Sequence, residues 1–421
     1  MTQVGRAVNR TFGSLRVRNY RLFLTGQAVS MSGTWMQTIA VGWLVLQLTG
    51  SGTAVGITLG LQFLPMLLFG MWGGVLADRF DKRRLLMVTQ SVLSVSAFSL
   101  WVFVATGTAS VGLIYALTFV QGLATVVDNP TRQSFVLEMV GRDLVPNAVG
   151  LNSAVFNASR IVGPAIAALL IATVGLAPAF LINAISFLAV VAALWGMDET
   201  ALMRAEAEER GPRQVRDGLR YVWRSKELRH TVALVAVVAM FGLNYSVVLP
   251  LLARFTFGRG AETYGVLTSL LAAGALAGAL VSAFRARPTR RFLAGSAAIF
   301  GALTILCSMA PNLVTLELLL VPTGAASISF IAAANATLQL GSVPAMRGRV
   351  MALHGLVFLG TTPLGAPLVG WVSETWGPRI GLSLGGVVTL IAATALCAEI
   401  GGRGLSARIR QRALRVSVHP R

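Results

Sequence analysis

Apolar residues run along the chain in long blocks separated by short polar, glycine-containing or proline-containing breaks. The blocks predict helices at roughly 20–48, 53–77, 85–106, 110–133, 147–173 and 177–196, and again at roughly 231–257, 263–284, 292–310, 313–340, 350–373 and 378–400. A helix needs about 20 apolar residues to cross a hydrocarbon core about 30 Å thick. The pattern therefore predicts an all-α membrane protein with twelve transmembrane helices in two sets of six. Residues 1–196 form the first bundle, 197–230 a cytoplasmic linker, 231–402 the second bundle and 403–421 a basic tail.

The linker divides into two parts. Its first half is charged (Asp198, Glu199, Glu206, Glu208, Glu209). In its second half Val215, Leu219, Val222 and Trp223 recur at helical spacing among Arg213, Arg216, Arg220 and Arg224. That half reads as an amphipathic helix on the cytoplasmic surface.

Composition and charge sharpen the picture. The 421 residues are 55% hydrophobic and only 12% charged, about half the charged share of an average soluble protein. The net charge of +19 would suit nucleic acid, but its distribution excludes that class. Basic residues cluster in the N-terminus, in the loops after predicted spans 2, 4, 8 and 10, in the linker and in the tail, as the positive-inside rule expects of cytoplasmic segments. Of the 35 Lys and Arg, only Arg160, Arg254, Arg259 and Arg379 lie elsewhere. Both termini are thus expected on the cytoplasmic face of a bacterial inner membrane. Cysteines placed at Ser51, Thr108 and Asn312 are expected to label from outside, and cysteines at Arg210 and Ser406 only from the cytoplasm. Reversed labelling at two of these positions would contradict the topology. Cys307 and Cys397 lie in different apolar blocks and read as core cysteines.

The two halves repeat. Gly70, Gly74 and Asp78 at the end of span 2 recur as Gly274, Gly278 and Ser282 at the end of span 8, an offset of 204. Val155, Phe156, Gly163 and Pro164 of span 5 are matched by Val357, Phe358, Gly365 and Ala366 of span 11, with Pro367 one place later. Small residues four apart let helices approach closely. Repeated halves are also how many secondary transporters build a site at the midplane.

The segment Gly73-Gly74-Val75-Leu76-Ala77-Asp78-Arg79-Phe80-Asp81-Lys82-Arg83-Arg84 resembles the signature loop of the major facilitator superfamily. From about Arg18 to Glu399, including Asn19-Tyr20-Arg21-Leu22-Phe23 and Leu48-Thr49-Gly50-Ser51, the chain is similar to that superfamily's bacterial efflux and transmembrane-secretion-effector branch, the family of the enterobactin exporter. The resemblance implies a cytoplasmic latch built from Gly74, Asp78, Arg79, Lys82 and Arg83. Asp78 would cap the start of span 11, and Lys82 or Arg83 would pair with an acid near the cytoplasmic end of span 4, for which Asp128 is the candidate. Asp81 stands where the family commonly has glycine, and Ser282 where a second latch would have aspartate. Gly150, Ser159, Gly163 and Pro164 resemble the superfamily's antiporter motif, which implies export, although close packing accounts for such small residues equally well.

Polar positions mark candidate cavity walls. At about 100° per residue, Gln27, Ser30, Thr34 and Gln37 of span 1 share one face, and so do Thr118, Gln121, Thr125, Asp128 and Arg132 of span 4. Asn244 and Tyr245 on span 7, with Ser327 and Asn335 on span 10, make a less polar wall. These helices line the cavity in the resembling family, and one polar wall facing one apolar wall suits an amphipathic or lipophilic substrate. Polar stripes that only join helices remain the alternative. Arg160, thirteen residues into span 5, is costly at about 20 Å from the cytoplasmic end. Glu317, near the outer end of span 10, reads at similar depth as its partner in a gate or coupling pair; the alternative is that Arg160 binds an anionic substrate or tunes Asp128 through water.

No phosphate-binding loop surrounds Lys82 or Lys226, and His230, His354 and His419 are scattered. The expected function is therefore not enzymatic and needs no metal or cofactor. It is secondary active export of a small amphipathic molecule such as a drug, siderophore or related metabolite, driven by protons and carried out by a monomer among membrane lipids. A facilitator or importer not coupled to protons is the alternative.

Overall fold

A computed structural model describes residues 12–203, 214–283 and 289–417. Several expected features lie outside them, among them Glu206, Glu208, Glu209, Arg204, Arg210, Arg213, Arg285 and Arg287. Helix ends follow local chemistry. Helix α1 (Arg18–Thr49) stops at Gly50, whose left-handed φ of 66° closes the last turn through an N–H bond to the Leu46 carbonyl at 2.9 Å. Helix α2 (Gly52–Arg79) starts from Ser51, whose hydroxyl accepts the Ala54 N–H. Asp81 does the same for α3 (Lys82–Ala105), accepting the Arg84 N–H at 2.9 Å, which gives this departure from the family loop a structural role.

Among the described residues, ten helices are long and apolar enough to span a bilayer. One of them, Val111–Thr173, has 63 residues, about 95 Å at 1.5 Å per residue, so it supplies two crossings. Its backbone leaves the helix at Gly141 (φ 71°), which divides it into α4 (111–140) and α5 (142–173). The remaining crossing is α1, long enough at 32 residues but lowered in hydropathy by its glutamines, serines and threonines. Twelve spans result, completed by α6 (Ala177–Trp195), α7 (Lys226–Thr256), α8 (Ala261–Ser282), α9 (Arg290–Ser308), α10 (Leu313–Leu340), α11 (Pro344–Trp376) and α12, which begins at Pro378.

Three elements differ from the sequence pattern. The expected loop between spans 4 and 5 is helical on both sides of Gly141, because Phe135, Val136, Met139 and Val140 pack into a core with Tyr20, Phe23, Leu86 and Leu194. Span 11 begins at Pro344 and is interrupted at Thr361. The helix of α12 runs on through the expected tail to Ser417.

The chain divides into two compact units that do not coincide with its sequence halves. The first joins Met1–Pro212 to Tyr245–Ala273 and Leu359–Gly381, and the second contains Arg213–Asn244, Gly274–Phe358 and Leu382–Arg421. In the first, parts of α7, α8 and α11 pack on α1, α2 and α5. Tyr264 lies beside Gly42, and Gly265 meets Pro164 and Ala168. In the second, Gly274 and Gly278 of α8 press on the backbone of α10 at Val321 and Ala325. The matching contact of α2 with α4 uses Gly73 against Val126, not Gly70, so the repeat is kept in architecture but shifted in register.

The helix Gln214–Arg224 belongs to the second unit. Val222 is buried with Leu228, Leu338, Val350 and Leu353, and Asp217 pairs with Arg349 at 3.3 Å. Leu219 and Trp223 stay exposed. The amphipathic periodicity is therefore split: one side docks on protein and the other carries an aromatic suited to a membrane interface.

Candidate functional site

A chain of buried polar side chains crosses the first unit. Asn183 of α6 donates to the Gln37 side chain at 2.7 Å, and Gln37 donates to Gln121 of α4 at 3.1 Å. Deeper toward the arginine-rich end, Asp128 accepts from Thr89 at 2.8 Å and Gln90 at 2.7 Å, and pairs with Arg132, which also donates to Gln27. Asp128 is only 2% exposed. A buried charge is tolerable only with such partners. The amide nitrogens of Gln27 and Gln121, the Gln90 carbonyl oxygen, the Thr118 hydroxyl and Arg132 Nε are buried without a hydrogen-bond partner. Ser30 is buried, Thr34 is exposed, and Thr125 is half-buried with its hydroxyl bonded to the Gln121 carbonyl. The α1 and α4 polar stripes thus meet at two places, Gln37–Gln121 and Gln27–Arg132.

The signature loop makes a different pairing from the one expected. Lys82 bonds Glu138 at 2.6 Å, while Asp128 is taken by Arg132. The reason is the helical continuation of α4, which carries Glu138 beyond the expected helix end to the start of α3. Arg83 is 8% exposed and pairs with Glu199. It also donates to the carbonyls of Leu194 at 2.6 Å and Trp195 at 3.0 Å, the orphan acceptors at the end of α6. Lys82 and Arg83 therefore fasten α3 to α4 and α6. Gly74 and Asp78 are half-buried on the last turns of α2, where Arg79 is exposed.

A carboxylate that the sequence reading passed over closes the arginine-poor end of the same unit. Glu374 of α11 accepts the Ser51 hydroxyl at 2.6 Å, the Thr53 hydroxyl at 2.6 Å and the Thr53 N–H at 2.9 Å. It sits at the N-terminus of α2, where the helix dipole favours negative charge. Beneath it the two backbones touch. A Cβ on Gly52 would lie 2.7 Å from the Gly370 carbonyl, and one on Gly56 would overlap the Ala366 carbonyl. Gly52 and Gly56 on one helix facing Ala366 and Gly370 on the other form a close small-residue crossing.

The antiporter-like segment of α5 packs on α1. Ser159 accepts the Ser32 hydroxyl at 3.1 Å, and a Cβ on Gly163 would come within 2.6 Å of the Ser32 carbonyl and Trp35. The Pro164 carbonyl lies against Gly265 of α8. Gly150 has open space around it, so close packing explains three of the four motif positions.

This packing lays the Arg160 guanidinium over the Trp35 ring at 5.5 Å, and Trp35 meets Phe156 edge-on at 6.1 Å. Arg160 has no carboxylate partner among the described residues. A cation–π contact contributes about 0.5–2 kcal/mol, whereas a central membrane arginine costs at least about 2.5 kcal/mol. Arg160 also stands thirteen residues from the end of α5 at Thr173, about 20 Å, whereas Glu317 is four residues, about 6 Å, from the start of α10. Measured along their own helices the two depths differ: span 5 ends at Thr173 as expected, and the thirteen residues beyond Arg160 exceed the four between Leu313 and Glu317. In the second unit, Asn244 is buried and donates to the Met240 carbonyl at 2.7 Å, in the break of α7, and Asn335 is half-buried on α10.

The family model described as "Transmembrane secretion effector" matches residues 9–402. The chain belongs to that family. As a transmembrane secretion effector it is a multi-pass protein of the major facilitator superfamily. It is 28% identical to the multidrug efflux pump Tap of Mycolicibacterium fortuitum over 379 residues, 85% of this chain and 89% of the relative. It is also 28% identical to the staphyloferrin A transporter of Staphylococcus aureus over 265 residues, 62% of this chain and 66% of that protein. Among solved structures, a point mutant of the nucleoside transporter NupG superposes with a TM-score of 0.73 at 13% identity, covering 91% of this chain and 99% of its own. A bacterial homologue of the human lysosomal transporter Spinster, inward-facing and unoccupied, gives 0.73 at 15%, covering 90% and 95%. These structures show the fold of the secretion effector to be that of known membrane transporters.

Proposed function

We propose that this secretion effector exports a small amphipathic molecule from the cytoplasm across a bacterial inner membrane, exchanging it for protons by alternating access. The observation that carries the reading is the buried Asp128–Arg132 pair with its Thr89, Gln90 and Gln27 ligands. Protonating Asp128 would release Arg132 and loosen α4 against α1 and α3. That is the differential interaction a proton needs in order to favour one conformational state. Efflux proteins among its relatives support the outward direction, and the arginine-rich ends support cytoplasmic termini. Asp78 at the end of α2 and Glu374 at the end of α11 would then latch opposite sides of the membrane in alternate states.

Expression in a host lacking its own efflux pumps tests this. The chain is expected to lower accumulation of at least one member of a panel of siderophores and lipophilic drugs. Asp78→Asn and Asp128→Asn should each cut that export at least tenfold at equal protein level. Wild-type export in both variants would remove both carboxylates from the mechanism.

A further inference from the structure

A positive charge in mid-membrane that rests on an aromatic shelf lacks its natural counterion. Arg160 lies about 20 Å from the end of its helix, too deep for its side chain to reach an aqueous interface. It is only half-buried, and the neighbouring Phe156 is 43% exposed. The shelf is held rigidly. Gly163 brings α5 onto the backbone of α1 at Ser32 and Met36, the Ser32–Ser159 bond fixes the register, and the edge-on contact with Phe156 orients the Trp35 ring. One further group on the same stripe is unsatisfied: Asn152, two turns earlier, has a buried Oδ1 with no donor. Residues 152, 156 and 160 fall at i, i+4 and i+8 on one face, and eight residues span about 12 Å.

We propose that this stripe is a recognition site for an amphipathic organic carboxylate. The carboxylate takes the Arg160 guanidinium through charge-assisted hydrogen bonds. An apolar or aromatic body lies along Trp35 and Phe156, and a hydroxyl or amide N–H about 12 Å away reaches Asn152 Oδ1. This names the substrate class within the export reading and rests on it. The site selects by charge at one end and by apolar area in the middle. It therefore accepts many bodies that share an acid group and rejects neutral counterparts of the same shape.

The test is equilibrium dialysis on the full chain in lipid nanodiscs, which measures binding without requiring transport. A failure of export would therefore not be mistaken for a failure of the site. Tritiated 1-naphthoate is compared with 1-naphthamide, against empty nanodiscs, with sodium chloride as competitor. The wild type is expected to bind the carboxylate at least tenfold more tightly than the amide. Arg160→Gln should lose that preference while binding the amide as before, and Glu317→Gln should leave both affinities unchanged. Equal affinities in the wild type, or no carboxylate binding at 1 mM, overturns the proposal whether or not the variants fold. So does an unchanged carboxylate affinity in Arg160→Gln, a matching loss in Glu317→Gln, or displacement by millimolar chloride, which would mark an inorganic-anion site.

Discussion

Gly56→Val is expected to reduce transport roughly five- to hundredfold while the protein still inserts and folds. Position 56 has no room for a side chain, because a Cβ would overlap the carbonyl of Ala366 and come within 2.7 Å of Cα of Pro367. Those are backbone atoms of another helix, so they can yield only if α2 and α11 separate, and overpacking of this kind costs about 1–3 kcal/mol. The penalty falls only on states in which these ends of α2 and α11 touch. A transporter that must visit such a state in each cycle is slowed by the full amount, whereas insertion, which depends on apolar length, is not. Gly70→Val is the control. The only atoms near that position belong to the flexible Met66 side chain, and wild-type transport is expected. Equal transport by Gly56→Val and wild type would show that the contact is never required.

Glu374→Ala is expected to act in the opposite sense, opening the same contact. The carboxylate holds two hydroxyls and one backbone N–H at the start of α2. Because the group is exposed, the three bonds together contribute about 1–2 kcal/mol. Their loss shifts the closed population by roughly five- to thirtyfold. Leu251 reports the change, since it is 1% exposed and lies against Gly52. In a background with Cys397 replaced, Leu251→Cys should react with an impermeant maleimide added outside at least five times faster when Glu374 is alanine. An unchanged rate would mean that the carboxylate caps α2 without holding the two helices together.

Much of this was legible in the chain. The apolar blocks located all twelve spans, because length and hydrophobicity are what a bilayer selects. The signature loop was readable through its resemblance to a known family, and membrane physics accounts only for its basic residues, which are tolerated at helix ends outside the hydrocarbon core. Glu138 was missed as the partner of Lys82 because a helix that outruns its apolar block leaves no periodic break to mark it. Its continuation is decided by Phe135 and Met139 packing beneath Tyr20 and Phe23, a tertiary effect. Glu374 was missed because a lone acid at a span end resembles any solvated charge. Only the approach of Ser51 and Thr53, more than 300 positions away in sequence, gives it a role. The expected boundaries already put Arg160 thirteen residues from either end of span 5 and Glu317 only four from the start of span 10, so their difference in depth was legible in the sequence.

Everted membrane vesicles test the central claim most directly. Their lumen corresponds to the outside of the cell, so an imposed acid-inside gradient reproduces the physiological proton force. The secretion effector is expected to drive accumulation of at least one siderophore or lipophilic drug into that lumen without ATP, with uptake abolished by a protonophore and by Asp128→Asn. Accumulation that persists after the gradient is collapsed, or no accumulation of any compound by vesicles containing folded protein, would contradict export by proton exchange.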